Sequence, residues 1–408
     1  MKQVIQNYKS GELSVADVPR PSLCPGGVLV RNRCSLISVG TEAGSVKLAR
    51  KTLLGKARAR PEQLKKVIGV AKRDGILTAY RAAMRSLDTS LPLGYSCAGT
   101  VIEVAEDVSE FGIGDRVACG GGGYASHAEV VYVPRNLCVR LPEDVDFRSA
   151  AFTTVGSVAM HSVRKADVRL GETVAVIGLG LVGLLTVQIL KSAGCKVVGV
   201  DVDESKIDQA REMGADCAIL RGSPNLHERI DGFSDGHGVD AVVIIAAPKS
   251  NDPVVLAGQI ARHRGRVVVV GRVEMDVPRE DYLQKELEFF TSLSYGPGRH
   301  DTRYEEKGID YPFGYVRWTE NRNMQAFANL LESGEVQTAP LVTQTFPIEE
   351  AEKAYNLITG DDPAGKRQVG VLLTYHHEEE GESRTRIPLA GKVKYPTTPD
   401  KVCLGLIG

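Results

Sequence analysis

The run Thr173-Val-Ala-Val-Ile-Gly-Leu-Gly-Leu-Val-Gly183, followed by Asp201, constrains the fold more than any other stretch. Val174 to Ile177 is an apolar run of strand length, and it meets Gly178-Leu179-Gly180-Leu181-Val182-Gly183. An apolar helical stretch follows to Leu190, and a second β-rich run, Lys196 to Val200, ends on Asp201. Strand, glycine turn, helix, strand and acid, in that order, predict a dinucleotide-binding βαβ unit. The glycines let the backbone turn tightly and approach a pyrophosphate. The helix N-terminus offers unpaired N–H groups and a favourable dipole, and the carboxylate can bind a pair of ribose hydroxyls. The expected cofactor contacts are therefore Gly178, Leu179, Gly180, Leu181, Val182, Gly183 and Asp201.

A chain of 408 residues has room for two or three domains. Its net charge of -1 gives no signature of a nucleic-acid or membrane-surface binder. No apolar run approaches the ~20 residues of a membrane span, and the N-terminus lacks the apolar core of a signal peptide. Eight cysteines are scattered without a CxxC pair. That spacing predicts reduced thiols in a cytoplasmic protein, with neither a disulfide framework nor a structural zinc lobe.

Residues 1–40 alternate short β-like runs with turns. Residues 43–90 differ: apolar residues recur at helical spacing, and Lys47 to Arg85 holds twelve Lys/Arg against only Glu62 and Asp74. Such a basic insert reads either as a solvated helix face or as a means of capturing an anionic substrate. Residues 91–141 have an all-β texture and contain the glycine loop Gly120–Gly123. From 147 to 271 helical and strand patterns alternate, with a helix expected over Pro253–His263, which implies a parallel sheet covered on both faces. Residues 289–320 leave that pattern and are crowded with Tyr, Arg and Gly around Trp318. They suit a sugar ring or a phosphate, or else a packed structural loop. Residues 376–400 read as a polar linker, and 401–408 as a strand stopping at the start of a second dinucleotide-binding turn.

Several motifs carry a family resemblance over about residues 1–375: Gly94-Tyr-Ser96 before Ala98-Gly99, Gly112-Ile-Gly-Asp-Arg-Val117, Ala150-Ala151, Leu170-Gly-Glu-Thr-Val174 and the glycine turn. Together they resemble the medium-chain dehydrogenase/reductase superfamily, the zinc-type alcohol dehydrogenase fold. The resemblance implies an α/β protein. A GroES-like β-rich domain would occupy 1–150, with the basic insert at 43–90, and a Rossmann domain 151–295. A return segment, 296–375, would complete the first domain. Ser38-Val-Gly-Thr-Glu42, the insert and the 294–320 region look like bi-domain oxidoreductases, in which a zinc-free dehydrogenase half is fused to a Gfo/Idh/MocA-type half. Such proteins belong with glycan or polysaccharide metabolism, and the covalent partner domain would lie beyond residue 408.

Zinc members of the superfamily carry a Cys where this chain has Ser38, Gly-His-Glu where it has Gly94-Tyr95-Ser96, and Cys or Asp near Thr154. Hydroxyls are poor zinc ligands at neutral pH, so no metal is expected. By the resemblance, Tyr95 and Ser96 stand where the metal-binding pair stands. Tyr95 is the first candidate for the acid/base, although a free phenol of pKa ~10 would have to fall to act as a base. Thr41, Glu42 and His127 are the other catalytic candidates. Lys206 resembles the lysine placed near the adenosine ribose, and Thr154 is counted with the cofactor contacts. Asp201, which repels a 2′-phosphate, favours NAD over NADP.

The expected function is zinc-independent, NAD-dependent hydride transfer to or from a sugar- or polyol-type alcohol or ketone. The substrate would be a small molecule or glycan, possibly anionic, and the protein a homodimer by analogy. The alternatives are an NADPH-dependent enoyl or quinone reductase, or a binding half without chemistry of its own.

Overall fold

The computed structural model describes residues 1–52, 55, 69, 90–360 and 368–376. Most of the basic insert, and the 401–408 segment with nearly all of the linker, lie outside the described residues.

The glycine turn sits at the centre of a six-stranded parallel sheet. Its strands are β9 (Thr173–Ile177), β10 (Lys196–Asp201), β11 (Cys217–Leu220), β12 (Val239–Ile244), β13 (Ala261–Val269) and β14 (Glu288–Thr291). Their order is β11-β10-β9-β12-β13-β14, the doubly wound arrangement whose chain reversal places a ligand crevice at the C-terminal end of β9. Every residue of β9 is buried, as a central parallel strand covered by helices on both faces requires.

The β-rich domain is built around β3 (Gly27–Ser38), a 12-residue strand. A seven-stranded sheet runs β15-β16-β3-β5-β6-β8, with β7 (Val130–Pro134) also paired to β3. Here β5 is Ser96–Val104, β6 Arg116–Gly120 and β8 Cys138–Arg140. The return segment supplies β15 (Val342–Pro347) and β16 (Gly370–Thr374), so the chain comes back to complete the first domain. β16 runs antiparallel to β3, with Gly370 opposite Ser38 and Thr374 opposite Cys34.

Helix α1 (Val39–Ala49) follows β3 directly. Helix α2 (Thr153–Lys165) is buried along most of its length and leads to the nucleotide sheet. It packs against α3 (Leu181–Ser192), which follows the glycine turn, and α4 (Glu320–Glu332) of the return segment. A Cβ at Gly156 would overlap the Phe327 ring, so the α2–α4 contact requires glycine there.

One expectation needs correction. The helix expected over Pro253–His263 ends at Ile260, because Ala261 already pairs with Val239 as the start of β13. Arg262 to Gly265 belong to β13, which is irregular there: the pairing with β12 passes from Ala261 to Arg266, and Arg264 has φ 58°. Two short helices, Leu226–Phe233 and Arg279–Gln284, were not anticipated, although Leu226, Ile230 and Phe233 of the first stand at helical spacing. The 292–319 region is irregular apart from a single turn, Thr302–Glu305. Among the described residues no helix is long and apolar enough to cross a membrane.

Glu320, in the first turn of α4, is fully buried, and neither carboxyl oxygen has a hydrogen-bond partner. Burial, then the charge of Glu305, pushes its pKa up to about 9, although Arg299 pulls the other way. The fold therefore holds a proton that the unfolded chain releases above about 4.5. Stability should fall as pH rises from about 4.5 towards 9. Urea unfolding across that range should show Glu320→Gln with a flatter slope and a higher midpoint at pH 8. Identical slopes would contradict this.

Candidate active site

The cofactor cradle forms where β9 ends. Gly178 has φ 99°, and a Cβ there would strike the Ala246 backbone. A Cβ on Gly183 would overlap the Gly178 carbonyl, so this glycine lets α3 lie against the turn. Gly180 is different: it is exposed, and its Cβ direction is open space. It caps α3 without a side chain, which leaves the first-turn N–H groups of Leu181, Val182 and Gly183 for an outside acceptor. Leu179 is buried beneath the turn against Gly199. The cradle thus fits a pyrophosphate.

Asp201 stands beside it. Its Oδ2 accepts from the Leu179 N–H at 2.6 Å and its Oδ1 from the Asp203 N–H at 3.0 Å. Each oxygen retains capacity for a ribose hydroxyl. Lys206 is buried close by and donates to Gln209 Oε1 at 3.1 Å. Burial lowers its pKa, while Asp203 and Asp201 support its charge.

The second half of the site lies at the corner between β3 and α1. Glu42 is buried, its Oε1 accepting from the Ser38 N–H at 2.9 Å. Its Oε2 accepts from the Tyr355 hydroxyl and lies 3.2 Å from His127 Nε2. His127 Nδ1 is 2.7 Å from Ser35 Oγ, which is 2.6 Å from the Tyr375 hydroxyl. A continuous buried chain therefore links Tyr355, Glu42, His127, Ser35 and Tyr375. Glu42 and His127, distant in sequence, meet directly.

Tyr95 is half-buried near this chain. Burial and the Glu42 charge push its pKa up to about 12, only partly offset by the Ser38 and Thr41 hydroxyls facing its phenol. A general base would need a lowered pKa, and the shift here runs the other way. Thr41 is exposed and connects that phenol to solvent.

Two expected site residues are otherwise employed. Ser96 Oγ is buried and donates to the Ala151 carbonyl at 2.6 Å, tying β5 to the turn before α2. Thr154 Oγ1 donates to the Cys119 carbonyl at 3.1 Å, locking α2 to β6. Sequence reasoning missed Ser35, Tyr355 and Tyr375. Ser35 carried a faint signal, a polar residue inside an apolar strand. Tyr355 and Tyr375 come from the return segment, and only the fold brings them here. Among the described residues no three His, Cys, Asp or Glu side chains are grouped to hold a metal.

This architecture, with its glycine cradle and the cleft corner at Ser38, is that of a medium-chain dehydrogenase/reductase of the zinc-type alcohol dehydrogenase fold. Comparison with known proteins agrees. Residues 65–143 match the family model of the alcohol dehydrogenase GroES-like domain, and residues 182–307 that of the zinc-binding dehydrogenases. A sorbitol dehydrogenase of Halalkalibacterium halodurans is 27% identical over 69% of this chain and 82% of its own length. A probable D-xylulose reductase A of Arthroderma otae is 26% identical over 66% of this chain and 78% of its own. The alcohol dehydrogenase TADH from Thermus sp. ATN1 superposes with a TM-score of 0.68 at 22% identity, over 92% of this chain and all of that one.

The two glycines at the cradle should respond differently to substitution. Gly180→Ala should fold with an unchanged melting temperature but bind dinucleotide at least ten-fold more weakly, its methyl filling the open space. Gly183→Ala should lower the melting temperature itself. Calorimetry paired with thermal melts distinguishes them, and unaltered cofactor affinity in Gly180→Ala would contradict the cradle.

Proposed function

We propose that this chain is a zinc-independent, NAD-dependent oxidoreductase that interconverts a sugar- or polyol-type alcohol and its ketone. The observation that carries this reading is the donor set at the cleft. Ser38, Thr41 and Tyr95 present hydroxyls there, while Glu42 is already held by Ser38, His127 and Tyr355. Neutral hydroxyls are poor partners for zinc but good hydrogen-bond donors to a carbonyl oxygen. The polyol class is supported by the sorbitol dehydrogenase and D-xylulose reductase similarities. A role in glycan metabolism rests on the likeness to bi-domain oxidoreductases.

A bound nicotinamide would supply hydride transfer, held by the glycine cradle and Asp201. The Tyr95 phenol would hydrogen-bond the substrate carbonyl oxygen and give up its proton as alkoxide character develops. Because the pKa of Tyr95 is high, ketone reduction is the direction its resting state serves best. The exposed Thr41 hydroxyl would return the proton from water. Glu42 does not touch substrate: held by His127 and Tyr355, it sets the charge beside Tyr95. Asp201 ends β10 as a carboxylate where a 2′-phosphate would lie, so NAD is preferred.

Three measurements test this reading. Tyr95→Phe should lower kcat about 10²–10⁴-fold with little change in KM, as loss of a proton donor does. Asp201→Asn should raise the NADPH-to-NADH ratio of kcat/KM at least ten-fold. Activity should survive exhaustive chelation, with metal analysis showing well under one zinc per chain. Stoichiometric zinc that is needed for turnover would overturn the proposal.

A further inference from the structure

Trp318 is the only tryptophan in the chain, and two guanidiniums grip its indole. Cζ of Arg164 lies 3.2 Å from the ring centre and Cζ of Arg317 3.7 Å. Two groups at those heights on one face would overlap, so they lie on opposite faces. Neither has a carboxylate partner among the described residues. Arg164 Nε donates only to Asn323 Oδ1, at 2.8 Å. Lys165, next in the chain, is also without a carboxylate there and has its ammonium 5.9 Å from the Phe290 ring. Of the arginines nearby, Arg322 is paired with Asp310 and Arg299 with Glu305.

Such a cluster is costly as it stands. Burial, then the nearby Arg317, lowers the pKa of Arg164 to about 10, and an anion would relieve both effects. Flat apolar surface adjoins it. Phe313 is 56% exposed with Arg317 4.6 Å from its ring centre, and Tyr315 is 91% exposed.

We propose that Arg317, held against Trp318 with Arg164 on the opposite face, forms a binding site for an acidic sugar. Its carboxylate or phosphate would be held by the exposed Arg317 guanidinium, with the charge of Arg164 behind the indole adding attraction, and its ring laid against Tyr315 or Phe313. A guanidinium held flat against an indole keeps its fork of donors in place, and that fork matches the oxygens of carboxylates and phosphates. Two cations on one indole suit a single acidic group, whereas a long polyanion calls for a basic stripe. None of these residues belongs to the glycine cradle or to the Glu42 corner, and the occupant proposed here is independent of the reaction proposed there.

The single tryptophan makes the test direct, because intrinsic emission reports this place alone. The full-length chain would be titrated with glucuronic acid, glucose 6-phosphate, inorganic phosphate and glucose. The acidic sugars should change Trp318 emission saturably, and glucose should not. Glucose 6-phosphate should bind at least ten-fold more tightly than phosphate. Arg317→Gln, an exposed change expected to leave the melting temperature intact, should weaken the acidic sugars at least ten-fold. Tyr315→Ala should weaken glucose 6-phosphate while sparing phosphate. No response to either acidic sugar, by emission or by calorimetry, would overturn the site. Unchanged affinity in Arg317→Gln would do the same, as would a polyglutamate peptide binding where the sugars do not. Phosphate binding as well as glucose 6-phosphate would overturn the sugar assignment.

Discussion

The buried carboxylate of Glu42 is the constraint on which the cleft depends. An ionised side chain withdrawn from water is several kcal/mol unfavourable unless its oxygens are satisfied. Here the Ser38 N–H, His127 and Tyr355 satisfy them, and they come from three regions of the chain. Ser38 lies at the end of β3, His127 before β7, and Tyr355 in the return segment. The corner that presents Thr41 and faces Tyr95 is thus fixed only when the C-terminal part of the domain has docked. The β16–β3 pairing, with Gly370 opposite Ser38, performs that docking.

The same carboxylate acts on Tyr95: burial, and then the Glu42 charge, raises the pKa of its phenol. A protonated phenol beside two aliphatic hydroxyls is a hydrogen-bonding surface for a carbonyl oxygen. On the proposed reading, a fold better known with a metal at this corner uses oriented donors instead. The remaining polar groups of the corner, Ser96 and Thr154, spend their hydroxyls on backbone carbonyls and hold β5, β6 and α2 in register.

Much of this was legible in the sequence because it is local. The glycine turn and Asp201 lie within one βαβ unit, and their spacing alone specifies strand, turn, helix and acid. The alternation of strand and helix gave the parallel sheet. What could not be read depends on contacts between distant residues. Nothing near Glu42 announces that Tyr355 will donate to it, and nothing near Tyr95 shows that its pKa will rise rather than fall. The hydroxyls of Ser96 and Thr154 looked free for chemistry because their acceptors are backbone carbonyls, which leave no trace in side-chain patterns. The end of the helix at Ile260 was hidden because it is set by the pairing of Ala261 with Val239 on another strand.

The central claim is that Tyr95 is a neutral donor whose pKa is raised by burial and then by the Glu42 charge. Carbon-13 NMR of ring-labelled tyrosine, with Tyr95 assigned by its loss in Tyr95→Phe, tests it most directly. The Tyr95 resonance should remain that of a phenol through pH 10, and its titration should move to lower pH in Glu42→Gln. A Tyr95 that ionises below pH 9, or whose titration is the same with and without the Glu42 charge, would contradict the account.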